Sequence, residues 1–181
     1  MVLALTFAQP VNTPSTASHG PSTAHHTAPE EVRRGWPGGR RLTGLAVPYD
    51  RISTRTQYED GEVFRYGAFA VDCEQFAAGE LSIPLVVDHN DEDRIGWITE
   101  MHETPEGLEV EAWVGDPNEL LTIRRNLSIS FRDGAVRQGP EGVREVLAAH
   151  LSHVSLVRDS AYVDARIYDP PLAPAPELVP A

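Results

Sequence analysis

Between positions 39 and 168 apolar and polar residues mostly alternate with a period of two, the signature of half-buried strands. From Gly107 to Val114 the alternation is clean, with Leu108, Val110, Ala112 and Val114 on one face and Glu109, Glu111 and Trp113 on the other. Ile95–Glu103 is predicted as the partner strand. Thr104-Pro105-Glu106-Gly107 between them puts proline at the second turn position and glycine at the fourth. The same chemistry recurs at Gly139-Pro140-Glu141-Gly142, between strands predicted at Ala135–Arg137 and Val143–Ala149. Further strands are predicted at Leu42–Tyr49, Ile83–Asp88, Leu127–Arg132, Leu151–Val157 and Val163–Ile167. Two segments break the period. Phe69–Ala78 carries Phe69, Cys73 and Phe76 at helical spacing. Asp116-Pro117 caps a second predicted helix, Asn118–Asn126, whose Arg124 and Arg125 face the negative end of its dipole. Short strands separated by turns predict a mainly β (α+β) fold with peripheral helices, a barrel or a sandwich.

The flanks differ in composition. Residues 1–38 are dominated by Pro, Ser, Thr, Ala and His and are expected to form a disordered tail, since they offer little to bury against the entropy of ordering. The brief apolar start, Met1 to Ala8, lacks the basic residues and length of a secretory signal. His19, His25 and His26 in this tail form a loose cluster read as incidental. Residues 169–181 are proline-rich and expected to be extended or disordered. One folded domain, residues 39–168, is left in a chain of 181.

Charge and cysteine content narrow the chemistry. The chain has 27 acidic and 15 basic residues, a net charge of -12, which opposes binding to nucleic acid. The longest apolar runs, such as Ile83–Val87, are far too short for a helical membrane span, and no membrane association is expected. The single cysteine, Cys73, excludes an internal disulfide framework and a multi-cysteine zinc module; its spacing reads as a small core residue.

Polar residues interrupt strands at three places. Asp88-His89 closes the apolar run from Ile83, and a histidine there could take a proton near neutral pH or simply end a strand. In Leu127-Ser128-Ile129-Ser130-Phe131 the two serines share one face while Ile129 and Phe131 point to the core, giving a solvated face or a working hydroxyl. In Leu151 to Val157, His153 and Ser155 fall together; His153 could orient another imidazole or be an exposed strand residue. His150 faces the other way and should not pair with His153. A competing constellation, Asp88, Asn90, Asp91, Glu92 and Asp93, could offer oxygens to calcium but lacks the glycine and distal glutamate of an EF-hand loop, and reads as a solvated turn.

In order along the chain, Gly44-Leu45-Ala46-Val47-Pro48-Tyr49, Glu62-Val63-Phe64 with Gly67-Ala68-Phe69, and Asp88-His89 with Arg94-Ile95-Gly96-Trp97 are followed by three more pieces. These are Gly107-Leu108-Glu109-Val110, Leu127-Ser128-Ile129-Ser130-Phe131, and His153-Val154-Ser155-Leu156-Val157 with Ala161. Each is weak alone, but the ordered set resembles the prohead (capsid-maturation) serine proteases of tailed bacteriophages, over about Leu42 to Ile167. The resemblance implies a small closed or partly closed β-barrel of the herpesvirus-protease type. It maps the nucleophile to Ser128 and the general base to His89, with His153 as third member where the phage family commonly has glutamate. Ser130 stands where that family usually has glycine. No cofactor is implied. The implied substrates are scaffold and the N-terminal segment of the major capsid protein, cut by an endopeptidase that trims itself and self-associates inside the prohead, in the bacterial cytoplasm. The oxyanion donors, backbone N–H groups or an arginine, are not identified by the sequence. The alternatives are an inactive, protease-like shell or scaffold component, suggested by Ser130 and His153, and an acidic barrel that binds calcium or a small ligand.

Overall fold

The computed structural model describes residues 39–115 and 123–168. The elements are β1 (Arg40–Pro48), β2 (Glu62–Phe64), α1 (Ala70–Ala77), β3 (Pro84–Val87), β4 (Asn90–Glu103), β5 (Gly107–Val114), β6 (Asn126–Gln138), β7 (Arg144–Val157) and β8 (Arg166–Ile167). The strands pair in the order β2-β7-β3-β4-β5-β1-β8-β6, and β6 returns to β7. That last pairing closes seven strands into a barrel, and β2, itself buried, pairs with β7 in parallel outside that closed ring of strands. The fold is therefore mainly β, and α1 is the one α-helix of standard length among the described residues. None of these residues forms a helix long and apolar enough to cross a membrane.

The interior follows the alternation of the sequence. On β5, Leu108, Val110, Ala112 and Val114 are all buried, and they meet Leu42, Leu85, Ile98, Leu127, Val154 and Leu156 from the other strands. Trp113 lies on the opposite face of β5, as its position predicts, yet it is buried too. It stands directly across from Trp97 of β4 and forms with it a second, smaller apolar cluster. Both predicted turns form, the first closed by Gly107 N–H donating to the Thr104 carbonyl at 3.1 Å. Phe69–Ala78 shrinks only at its ends to α1, whose Asp72 is buried and accepts from the backbone N–H of Leu151, tying the helix to β7.

Several expected boundaries move. Leu127–Arg132 and Ala135–Arg137 are one strand, β6, because a register shift between Asp133 and Ala135 absorbs the interruption at Gly134. Val143–Ala149 and Leu151–Val157 likewise merge into β7, for β6 pairs with it along its length. Of Val163–Ile167 only the last two residues are strand; Val163 and Asp164 form a turn closed by Ala165 N–H on the Tyr162 carbonyl. Most of the second predicted helix, and both tails, lie outside the described residues. Its expected end is different, since Arg124 and Arg125 are not helical and Asn126 opens β6, pairing with Val157 and Arg166.

Gly96 shows how tightly β4 and β5 approach. A Cβ there would stand 2.1 Å from the Trp113 carbonyl oxygen. Gly96→Ala is therefore expected to lower stability by about 1–3 kcal/mol, the usual scale of overpacking, read from urea unfolding. An unchanged midpoint would contradict this packing.

Candidate active site

β7 runs between the two strands that carry the polar residues. It pairs in parallel with β3, matching Leu85 to Val154, Val86 to Ser155 and Val87 to Leu156. It pairs antiparallel with β6, matching Ser128 to Ser155 and Ser130 to His153. These two registers put the end of β3, the C-terminal part of β7 and the start of β6 side by side.

The end of β3 does not run on as a strand. Val87 pairs with Asn90, so Asp88 and His89 make a two-residue hairpin turn, with φ of 46° and 59°. Positive φ at both central residues is the pattern of a type I′ turn, in which Asn-Gly or Asp-Gly is preferred. A side chain in this region costs roughly 1–2 kcal/mol. Two contacts offset that cost. Ser155 Oγ accepts the His89 backbone N–H at 2.9 Å, and Arg124 grips the Asp88 carboxylate with Nε and Nη2, the latter at 2.6 Å. The Arg124 hydrogen bond holds the Asp88 carboxyl below its ordinary range.

Ser128 is fixed by alternation on β6. Leu127 is buried in the barrel and Ile129 and Phe131 pack against the same core, so the Ser128 side chain takes the outer face, where it is half-buried. His153 on β7 is buried and Ser155 is completely so. His89 Nε2 lies 2.9 Å from Ser128 Oγ, and His89 Nδ1 lies 2.9 Å from His153 Nε2. The far nitrogen of His153, Nδ1, lies 2.8 Å from a carboxylate oxygen of Asp91. A hydroxyl, two imidazoles and a carboxylate thus form one continuous chain of hydrogen-bond contacts. Desolvation of the ring between Ser128 and His153, and next the proximity of His153, lower the pKa of the otherwise exposed His89 from 6.5, while Asp88 and Asp91 oppose the shift. A neutral imidazole against a hydroxyl can accept its proton, which is what activation of a serine requires.

No protein-family model matches the chain, and no curated protein does. Solved structures of herpesvirus proteases do. The Kaposi's sarcoma-associated herpesvirus protease bound to a hexapeptide phosphonate inhibitor is 13% identical, with a TM-score of 0.46, over 71% of this chain and 64% of that one. The varicella-zoster virus protease is 12% identical, with a TM-score of 0.43, over 71% of this chain and 63% of that one. The Kaposi's sarcoma-associated enzyme with a dimer disruptor is 15% identical, with a TM-score of 0.44, over 71% of this chain and 74% of that one. The chain spans less than two thirds of the length of the first two.

Other polar residues singled out in the sequence go elsewhere. His150 turns away from His153 and meets Asp72 at 3.1 Å. Cys73 packs partly buried against the core, and burial pushes its thiol up to about 11, leaving it protonated at neutral pH. Ser130 is half-buried on β6 opposite His153. The acidic run does not converge as a calcium loop would: Asp88 goes to Arg124, Asp91 to His153, and Asn90 Nδ2 donates to Asp93. Among the described residues no group of three or more His, Cys, Asp or Glu is placed to hold a metal ion. The tail histidines lie outside the described residues. Three participants escaped the sequence reading: Ser155 beneath the turn, Arg124 on Asp88, and Asp91. Ser155 left the trace of sharing a strand face with His153, and Asp91 that of lying two residues past His89.

Titration of His89 followed by NMR is expected to give a midpoint below 6.5. Because the folded state then binds fewer protons than the unfolded state, the contribution of this group to stability is full above about 6.5 and declines as the pH falls through the folded midpoint. A midpoint at or above 6.5 would contradict this desolvation of the ring.

Proposed function

We propose that this chain is a serine endopeptidase that works through an acyl-enzyme, with Ser128 as nucleophile, His89 as general base and acid, and His153 as the third member. The observation that carries the reading is the pair of 2.9 Å contacts joining Ser128 Oγ, the two nitrogens of His89, and His153. Ser128 Oγ attacks the scissile carbonyl while His89 Nε2 takes its proton. As the tetrahedral intermediate collapses, His89 returns that proton to the departing amine, and water repeats the cycle on the ester. The depressed basicity of His89 keeps the imidazole neutral, and so competent as a base, below the pH at which an ordinary histidine protonates. His89 is exposed and Ser128 half-exposed, so a peptide can reach both. A neutral imidazole stabilises the transient imidazolium less than a carboxylate would, which favours slow turnover over rapid digestion.

The substrate is proposed from the resemblance of the ordered sequence motifs to phage prohead proteases. On that reading the enzyme cuts scaffold and the N-terminal segment of the major capsid protein within an assembling prohead in the bacterial cytoplasm, self-associates there, and trims its own ends. No nucleic acid, membrane or cofactor takes part.

Two measurements test this. A peptidyl phosphonate is expected to label Ser128, with an acid limb whose midpoint lies below 6.5. Ser128→Ala and His89→Ala are expected to lower processing of co-expressed capsid protein by about 10³-fold or more. Unchanged processing by Ser128→Ala would end the proposal and favour a non-enzymatic shell component.

A further inference from the structure

The histidine–histidine pair leaves one chemical question open. A neutral imidazole carries its proton on either nitrogen, and only one of the two arrangements lets His89 act on Ser128. If His153 carries its proton on Nε2, it donates to His89 Nδ1; His89 then holds its own proton on Nε2 and can donate to Ser128 but not accept from it. The productive arrangement is the reverse, with both protons on Nδ1.

Asp91 decides between them. An ionised carboxylate accepts hydrogen bonds and cannot donate them, so the 2.8 Å contact of Asp91 Oδ1 with His153 Nδ1 requires the proton there. His153 Nε2 is then a lone pair, and at 2.9 Å it takes the proton of His89 Nδ1. His89 Nε2 is left bare, 2.9 Å from the Ser128 hydroxyl. Every donor in the series points the same way, from serine to carboxylate. The His153 ring is only 7% exposed, so its Nδ1 has little other recourse, whereas Asp91 is 82% exposed. The turn that brings Asp91 here is held from both sides, by Ser155 on the His89 N–H and by Arg124 on Asp88.

We propose that Asp91 is a positioning residue, which fixes the proton positions on His153 and His89 so that Ser128 meets an unprotonated nitrogen. This rests on the proteolytic reading above only for its consequence in catalysis; the proton positions themselves can be read without any activity. The role explains why the third member can be a histidine: the carboxylate is present, one imidazole further out.

The test uses the full chain with ¹⁵N-labelled histidine. In the wild type, above the His89 midpoint, both His89 and His153 are expected to show the proton on Nδ1. In Asp91→Ala that preference is expected to be lost while the folded amide spectrum is kept, and in Asp91→Glu to return at least in part. Labelling of Ser128 by a peptidyl phosphonate is expected to slow about tenfold in Asp91→Ala and to recover with Asp91→Glu. If the wild type is labelled and Asp91→Ala keeps both its proton positions and its labelling rate, the positioning role is overturned while the protease reading stands. If the wild type is not labelled, the protease reading falls, and the NMR pattern alone still decides whether Asp91 sets the tautomers.

Discussion

The two-sided pairing of β7 is the constraint on which the rest of the site depends. Parallel pairing to β3 and antiparallel pairing to β6 fix Ser155 level with both Val86 and Ser128. Sliding either neighbour by one residue would turn its side chains to the opposite face, burying Ser128 or moving the His89 turn off Ser155. The barrel core enforces the register, because Leu127, Val154 and Leu156 reach the interior only in this alignment. The positions of Ser128, His89 and His153 are in this sense paid for by aliphatic packing on the other side of the sheet.

At the turn Asp88-His89 local backbone preference is overridden at two consecutive residues, whereas Asp50 and Glu141 adopt positive φ singly. Neither residue is glycine, yet both adopt positive φ, and each is held by a partner distant in sequence. Glycine at the second position would be the conformationally cheaper choice. The histidine held there against that preference places its ring between a hydroxyl and a second imidazole.

Much of the fold was legible because period-two alternation is a direct record of burial. Gly107–Val114 was read to the residue, and α1 and both proline–glycine turns were read nearly so. What failed were features set by pairing partners rather than by local pattern. The long β6 and β7 looked like four strands because bulges and polar residues break the pattern while the ladder continues. Trp113 shares a face with Glu109 and Glu111, and it is buried in a cluster with the opposing Trp97. In the site, Ser128, His89 and His153 were picked out by family resemblance and not by pattern alone. Asp91 and Arg124 were read as a solvated turn and a helix end, since nothing local reveals that their partners lie on β7 and on the β3 turn.

The links of the site also span long stretches of chain, 39 residues from His89 to Ser128 and 64 from His89 to His153. Such distant closures are slow to form and come after local structure. A ribosome-bound chain that has not yet delivered β7 possesses the serine and the first imidazole but nothing to align them. Whatever chemistry the finished barrel performs is therefore withheld during synthesis and begins only when the last long strand has been threaded between its neighbours.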